Sequence, residues 1–129
     1  MKKEELIEQL RELKIKHNPD AILRIARIPE GKIVFIEVGD LKSGWLHIKS
    51  QHGIDFANRG ITEEQILDVI MIALTEGKII GTQGTTRRIY EIEFNQITQY
   101  ISIDLGSNGY IVGANPTKSK LIRHFKEEI

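Results

Sequence analysis

The chain has 129 residues and a formal net charge of zero, a length that predicts one domain with a single hydrophobic core. It contains no cysteine, which excludes a disulfide framework, a thiol nucleophile and zinc–thiolate ligation. The balanced charge counts against a protein that holds nucleic acid through bulk positive charge, although a local basic patch could still do so.

The N-terminal third predicts one helix and one strand. Leucines recur at helical spacing over residues 6–13, and this helix should end before Asn18-Pro19, because the residue before proline disfavours the α region. Residues 21–28 fit the period of a helix or of a strand, and both stay open. Residues 32–38 (KIVFIEV) predict a buried strand. No leader resembles a signal peptide, and no run approaches the ~20 apolar residues of a membrane span. We therefore expect a soluble, cytoplasmic protein with no membrane partner.

Two further helices are predicted in the middle of the chain. The segment WLHIKSQHG, residues 45–53, is typical of a short helix that stops at Gly53. Thr62 and Gln65 then have the spacing of a capping box, followed by an apolar run at helical period. Gly77 is the expected end of this second helix.

From residue 78 the apolar period changes to two, which predicts strands. The runs KIIGTQ, RRIYEIEF, ITQYISIDL and GYIVGA are separated by turn signals, including Asn95-Gln96 and a type I′ hairpin signal at Asn108-Gly109. Residues 118–129 can form a last helix. The predicted fold is α+β: N-terminal helices packed on a C-terminal four-stranded antiparallel meander, plus a short C-terminal helix, in one domain over residues 1–129.

Two histidines are candidates for acid–base chemistry. His47 and His52 lie five residues apart, roughly 140° around an ideal helix, so they do not form the one-turn pair that binds a metal. If the helix ends at Gly53, His52 can turn toward the cleft that His47 faces, and the two imidazoles would serve as general base and general acid. The alternative is that His47 is a polar neighbour of Trp45 and that His52 is an exposed helix end.

Basic and hydroxyl side chains in the second half are candidates for phosphate binding. Arg87 and Arg88 open one strand, and Lys118 begins a basic tail. Guanidinium groups suit bidentate phosphate recognition, whereas the alternative is a solvated sheet edge. Tyr90 can stack on a base or belong to the core. The hydroxyls of the segment Asn115–Ser119 can bind a phosphate or cap the last helix.

The segment GWLHIKSQHG, together with a meander that ends in GYIVGANPTKS, resembles the barnase–EndoU–colicin–RelE superfamily of ribonucleases, in particular its prophage and contact-dependent-inhibition toxin branches. The similarity covers about residues 32–120, with residues 1–31 as an N-terminal helical extension. The resemblance implies cleavage of RNA without metal or cofactor, by attack of the 2′-hydroxyl on the adjacent phosphate. The products would be a cyclic phosphate and a free 5′-hydroxyl.

The resemblance also assigns residues. His47 and His52 match the two histidines of the helical motif, and Thr117 and Ser119 match hydroxyl residues that follow the last strand. The full set of catalytic residues expected is His47, His52, Arg88, Thr117 and Ser119, and the substrate-binding residues expected are Arg87, Tyr90, Asn115 and Lys118. The expected partners are RNA, with tRNA as one candidate, and a cognate immunity or antitoxin protein. If the chain is a toxin, it would be delivered into the cytoplasm of a target cell.

Two rival functions stay open. The chain can be a non-catalytic binding or inhibitor module of phage origin on the same scaffold, or it can itself be the immunity partner, which its neutral charge permits. One geometric feature separates these alternatives. Both histidines, an arginine and Thr117 or Ser119 around one open cleft would strongly favour catalysis, whereas a packed His47 and scattered residues would favour the binding module.

Overall fold

The computed structural model describes residues 2–127 of the chain, with the α+β architecture that the sequence predicts. The elements, in chain order, are α1 (Lys3–Glu12), a 3₁₀ turn (Pro19–Ala21), β1 (Ile22–Arg27), β2 (Ile33–Glu37), α2 (Trp45–Asn58), α3 (Glu63–Glu76), β3 (Lys78–Gln83), β4 (Arg87–Phe94), β5 (Ile97–Leu105), β6 (Ile111–Pro116) and α4 (Ser119–Glu127). The last helix is confirmed as far as residue 127; residues 128 and 129, which the prediction included, lie outside the described part. No helix within residues 2–127 is both long and apolar enough to cross a membrane.

The second half is the expected four-stranded antiparallel meander, in the order β3-β4-β5-β6. The β4–β5 turn is confirmed at Asn95 and Gln96, which both adopt positive φ angles, 52° and 64°. The type I′ prediction for the β5–β6 turn is wrong. There only Gly109 has a positive φ, 93°. The register shifts next to Leu105, and the Gly106 N–H donates to the Tyr110 carbonyl at 2.8 Å. A left-handed glycine beside a register shift is typical of a G1 bulge.

The two faces of this sheet differ in chemistry because side chains alternate along each strand. One face carries Tyr90, Ile92, Ile101 and Ile103, which join the main core with residues of α2 and α3. The opposite face carries polar side chains in register: Arg87 pairs with Asp104 and Asp104 with Gly113, while Ser102 pairs with Asn115. This polar face provides the floor of the candidate site.

The N-terminal region contains a strand that the sequence left open. Residues 22–27 form β1, antiparallel to β2, so the expected extension over residues 1–31 is only partly helical. β2 in turn forms an isolated parallel bridge, from Phe35 to Tyr110 just before β6, and the Phe35 N–H donates to the Gly109 carbonyl at 3.0 Å. Helix α1 closes a second apolar cluster over this hairpin. The partner strand decides the structure of this segment, because local period alone fits both alternatives.

Helix α3 is confirmed with its capping box, in which the Gln65 side chain accepts from the Thr62 N–H at 2.9 Å. The expected stop of α2 at Gly53 is wrong, because α2 continues to Asn58. A glycine inside a helix costs ~1 kcal/mol relative to alanine. The fully buried Ile48 and Phe56 anchor the helix on both sides of it. Gly60, with φ +79°, follows the actual end.

Candidate active site

Helix α2 runs beside strand β6 in the same direction. At its start, the Gly44 N–H donates to the Val112 carbonyl at 2.9 Å. Just past its end, Arg59 Nη2 donates to the Thr117 carbonyl at 3.0 Å. Between these two contacts, the imidazoles of His47 and His52 lie over the polar face of the sheet, which forms the floor of the site.

His47 has one ring nitrogen fixed and the other directed toward the sheet. Its Nδ1 lies 3.0 Å from the Leu41 carbonyl oxygen. A carbonyl can only accept, so Nδ1 carries a proton, and in the neutral form of the ring Nε2 would be the proton acceptor. Nε2 lies 3.7 Å, and Arg87 Nη2 lies 3.9 Å, from the point that a Cβ would occupy on Gly113. The His47 Nε2 atom and the Arg87 guanidinium therefore approach the same point above the sheet.

The loop before α2 holds the Leu41 carbonyl in place. The Asp40 carboxylate accepts the Lys42 N–H at 2.8 Å and the Ser43 N–H at 3.1 Å, and the Asp40 N–H donates to the Ser43 carbonyl at 3.0 Å. These backbone hydrogen bonds, first that of Lys42 and then that of Ser43, lower the pKa of Asp40. The ionised carboxylate thus closes a tight turn around the residue that orients His47.

His52 lies five residues farther along α2, and its imidazole is close to that of His47. The centroids of the two imidazole rings are 6.4 Å apart, with planes at 89°. His52 Nδ1 lies 3.0 Å from Asp55 Oδ2, so the carboxylate keeps the proton on Nδ1 and leaves Nε2 for a second proton transfer. The expected position of His52 at the fraying end of the helix is wrong, since the residue lies inside a continuous helix.

The cleft consists of two adjoining hollows that share His52, Asn115 and Lys118. The hollow on the α2 side has a volume of about 270 Å³ and is also lined by Asp55, Asn58, Arg59 and Pro116. The hollow on the sheet side has a volume of about 180 Å³ and is also lined by Gln83, Arg87, Ser102 and Leu121. Four residues predicted from the sequence are thus brought to one cleft: His52, Arg87, Asn115 and Lys118. His47 lines neither hollow, but its ring lies next to that of His52, with the ring centroids 6.4 Å apart.

Arg87 is held in position from two sides. Its Nη1 donates to Asn115 Oδ1 at 2.8 Å, and its Nη2 lies 4.0 Å from Asp104 Oδ2. The Asn115 amide is itself fixed, because its Nδ2 donates to the Pro116 carbonyl at 2.8 Å. The guanidinium is therefore oriented before any ligand arrives.

Arg88 and Tyr90 point to the opposite face of the sheet. Arg88 donates to both carboxylate oxygens of Glu30, at 2.8 and 3.3 Å, and this hydrogen bonding raises the pKa of Arg88. Tyr90 is 3% exposed within the main core, and burial raises the pKa of its hydroxyl. Strand alternation explains both outcomes, since Arg87 takes the position on the polar face and its neighbour cannot. Of the two alternatives for Tyr90, the structure shows the core position.

The two hydroxyl residues expected from the resemblance do not line the cleft. Thr117 is fully buried, and its Oγ1 lies 2.8 Å from Oγ of the buried Ser102. Ser119 begins α4 and is exposed, and it lines neither hollow. Neither Thr117 nor Ser119 is the N-cap of the last helix, because the Lys118 carbonyl accepts the first hydrogen bonds of α4.

Several cleft residues could not be identified from the sequence. Asp55, Asn58 and Arg59 lie beyond the glycine at which α2 was expected to stop. Only Asp55 carried a usable signal, a carboxylate three residues after a histidine on one helix. Within residues 2–127, no three histidine, aspartate or glutamate side chains are grouped so that they could hold a metal ion. Comparison with profiles of known protein families and with curated proteins gives no match.

Proposed function

We propose that the chain is an endoribonuclease that cleaves RNA by attack of a 2′-hydroxyl on the adjacent phosphate. One observation carries the proposal: His52 lines the cleft beside the oriented Arg87, and the His47 imidazole, with its ring centroid 6.4 Å from that of His52 and its ring nitrogens differently fixed, approaches the same arginine over Gly113. General acid–base catalysis of phosphate transfer requires one group to accept a proton and another to donate one.

His47 acts as the base in this proposal. Its Nε2 takes the proton of the 2′-hydroxyl, and the oxygen attacks phosphorus while the bond from phosphorus to the 5′-oxygen breaks. His52, protonated and paired with Asp55, gives its Nε2 proton to the leaving 5′-oxygen. The products are a 2′,3′-cyclic phosphate and a free 5′-hydroxyl. Because side chains supply both proton transfers, this reaction needs no metal ion or cofactor.

Arg87 and Lys118 stabilise the charge on the phosphate oxygens. Donors that are oriented before the reaction are usually the largest contribution to such catalysis. Arg87 meets this condition through its bond to Asn115 and its approach to Asp104. The chain has no net charge, so RNA binding depends on this local cluster of cations and on the neighbouring Arg59.

The biological setting in this proposal follows the motifs GWLHIKSQHG and GYIVGANPTKS. The chain acts as a toxin in the cytoplasm, on RNA of which tRNA is the first candidate, and a cognate immunity protein covers it in its producer. His52 of the first motif and Asn115 of the second line the cleft, and the His47 ring lies next to that of His52, which supports the resemblance at these positions.

The test is cleavage of total tRNA by the purified protein in EDTA, beside His47→Ala and His52→Ala. Each substitution should lower the rate by about 10²- to 10⁴-fold, the usual contribution of a general acid or base. His17→Ala is the matched control, because its Nδ1 also contacts a backbone carbonyl, that of Ile15, but away from the cleft. If the folded wild type cuts no RNA, or if His47→Ala cuts at the wild-type rate, the proposal fails.

A second candidate is a non-catalytic RNA-binding or inhibitor module on the same scaffold. One observation favours this candidate: the hydroxyl group of Thr117, expected at the active site, forms a hydrogen bond with the Ser102 hydroxyl instead. In the same assay, RNA binding by the wild type without any cleavage would select this candidate.

A further inference from the structure

Arg59 is built into the wall of the larger hollow. Its guanidinium donates to the Thr117 carbonyl at 3.0 Å. Its backbone carbonyl accepts from Nε2 of Gln99, a residue that is only 6% exposed. Arg59 is partly buried, and hydrogen bonds hold both its guanidinium and its backbone carbonyl. The protein itself therefore fixes the position of this side chain.

The positive charge of this arginine is not balanced by a neighbouring carboxylate. Among the side chains that the structure describes, those of residues 2–126, neither Arg59 nor Lys118 forms an ion pair with a carboxylate. Asp55 lines the same hollow, but its Oδ2 faces His52 at 3.0 Å. A guanidinium has five N–H donors, and the Thr117 carbonyl occupies only one of them. Partial burial of an unpaired cation is costly, and a bound anion would remove that cost.

The location of this hollow indicates which anion it binds. It shares His52, Asn115 and Lys118 with the hollow that holds Arg87. We infer that Arg59 binds a phosphate of the RNA chain next to the one that is cleaved, and that Lys118, which lines both hollows, contacts both phosphates. This inference rests on the proposed function. It makes the substrate an oligoribonucleotide with more than one phosphate in the cleft, since arginine recognises phosphate through paired N–H bonds.

The first test is a binding measurement that does not require cleavage. A fluorescent 2′-O-methyl oligonucleotide lacks the free 2′-hydroxyl, so its affinity can be followed by anisotropy over a range of salt concentrations. For single-stranded nucleic acid, removing one phosphate interaction should reduce the slope of log affinity against log salt by about 0.7. Arg59→Gln should show this reduction, and Arg24→Gln, at an exposed arginine of β1 that lines neither hollow, should not.

A second variant separates binding from structure. Arg59→Gln also removes the partner of the Thr117 carbonyl. The Lys118 side chain makes no hydrogen bond or ion pair within the described residues, so Lys118→Gln should reduce the slope without loss of folding. If the wild type binds and both variants keep its slope, the phosphate subsite is wrong.

The cleavage arm compares a dinucleoside monophosphate with the same molecule carrying one extra terminal phosphate. The wild type should favour the extra phosphate by roughly tenfold or more, the contribution of one charged hydrogen bond, and this ratio should approach one in Arg59→Gln. If the wild-type ratio is one both with the extra phosphate at the 5′ terminus and with it at the 3′ terminus, the subsite is wrong but the nuclease proposal stands. RNA binding without cleavage overturns the nuclease proposal, and the salt slopes then still decide the subsite. A wild type that binds no RNA overturns both.

Discussion

The buried pair of hydroxyls under the cleft gives a direct test of whether Thr117 is structural or catalytic. Ser102 is 1% exposed and Thr117 is fully buried, and their side-chain oxygens are 2.8 Å apart. Thr117→Val keeps the shape of the side chain but leaves the Ser102 hydroxyl without its partner, which should cost about 1–3 kcal/mol of unfolding free energy. Ser102→Ala should have a cost in the same range, for the same reason.

The double variant distinguishes this pair from two independent sites. Replacing both partners by apolar groups of similar shape is close to neutral, so Ser102→Ala/Thr117→Val should cost less than the sum of the single changes by at least ~1 kcal/mol. Urea unfolding followed by circular dichroism measures all four free energies. Costs that simply add would refute the hydrogen-bonded pair.

The same variants address function. Thr117→Val, assayed per folded molecule, should cleave RNA at about the wild-type rate, because its hydroxyl faces Ser102 and does not line the cleft. If Thr117→Val is folded and yet loses activity by a hundredfold or more, the catalytic role implied by the family resemblance is correct and the structural role is wrong.

Three further predictions follow from single contacts. Asp55→Asn should lower kcat roughly 10- to 100-fold, the contribution of one charge-assisted hydrogen bond, and a wild-type kcat would show that the carboxylate does not orient the acid. Arg87→Gln should lower cleavage strongly and Arg88→Gln should not; equal effects in a rate comparison would contradict the assignment of the two sheet faces. The hydrogen bond from Lys126 lowers the pKa of Glu91 below its ordinary value near 4.5, so this pair stabilises the fold above that value and the stabilisation is lost as the pH falls through the lower folded-state value. The difference in unfolding free energy between wild type and Glu91→Gln, measured by urea unfolding, should be present at neutral pH and disappear in acid; a difference independent of pH would exclude the ion pair as its cause.

The sequence was sufficient where a local signal agrees with the tertiary environment. The capping box at Thr62 predicted α3, and the change of period to two predicted the four strands of the meander. At residues 22–27 the local pattern fits two structures, and pairing with β2 decides between them. The sequence predicts the end of α2 too early, because Gly53 is a weak stop when buried residues on both sides of it hold the helix on the core.

The candidate site is harder to predict from local sequence patterns than the fold is. The two histidines and Asn115 were found because they belong to short motifs, and strand alternation required that only one of Arg87 and Arg88 could face the cleft. Which of the two does so depends on which sheet face packs on the helices, and no local pattern states that. The contact between Arg59 and Thr117 joins residues 58 positions apart, and no spacing rule reaches so far.

The central claim is cleavage through 2′-hydroxyl attack, with His47 as the base, and the chemistry of the cut ends tests it most directly. A labelled oligoribonucleotide cut by the wild-type protein in EDTA should carry 2′,3′-cyclic phosphate and 5′-hydroxyl ends by mass spectrometry. A single 2′-O-methyl group at the cut position, or His47→Ala, should abolish these products. Ends that carry a 5′-phosphate, or cleavage that persists at the methylated position, would show that water and not the 2′-oxygen attacks, and would contradict the account.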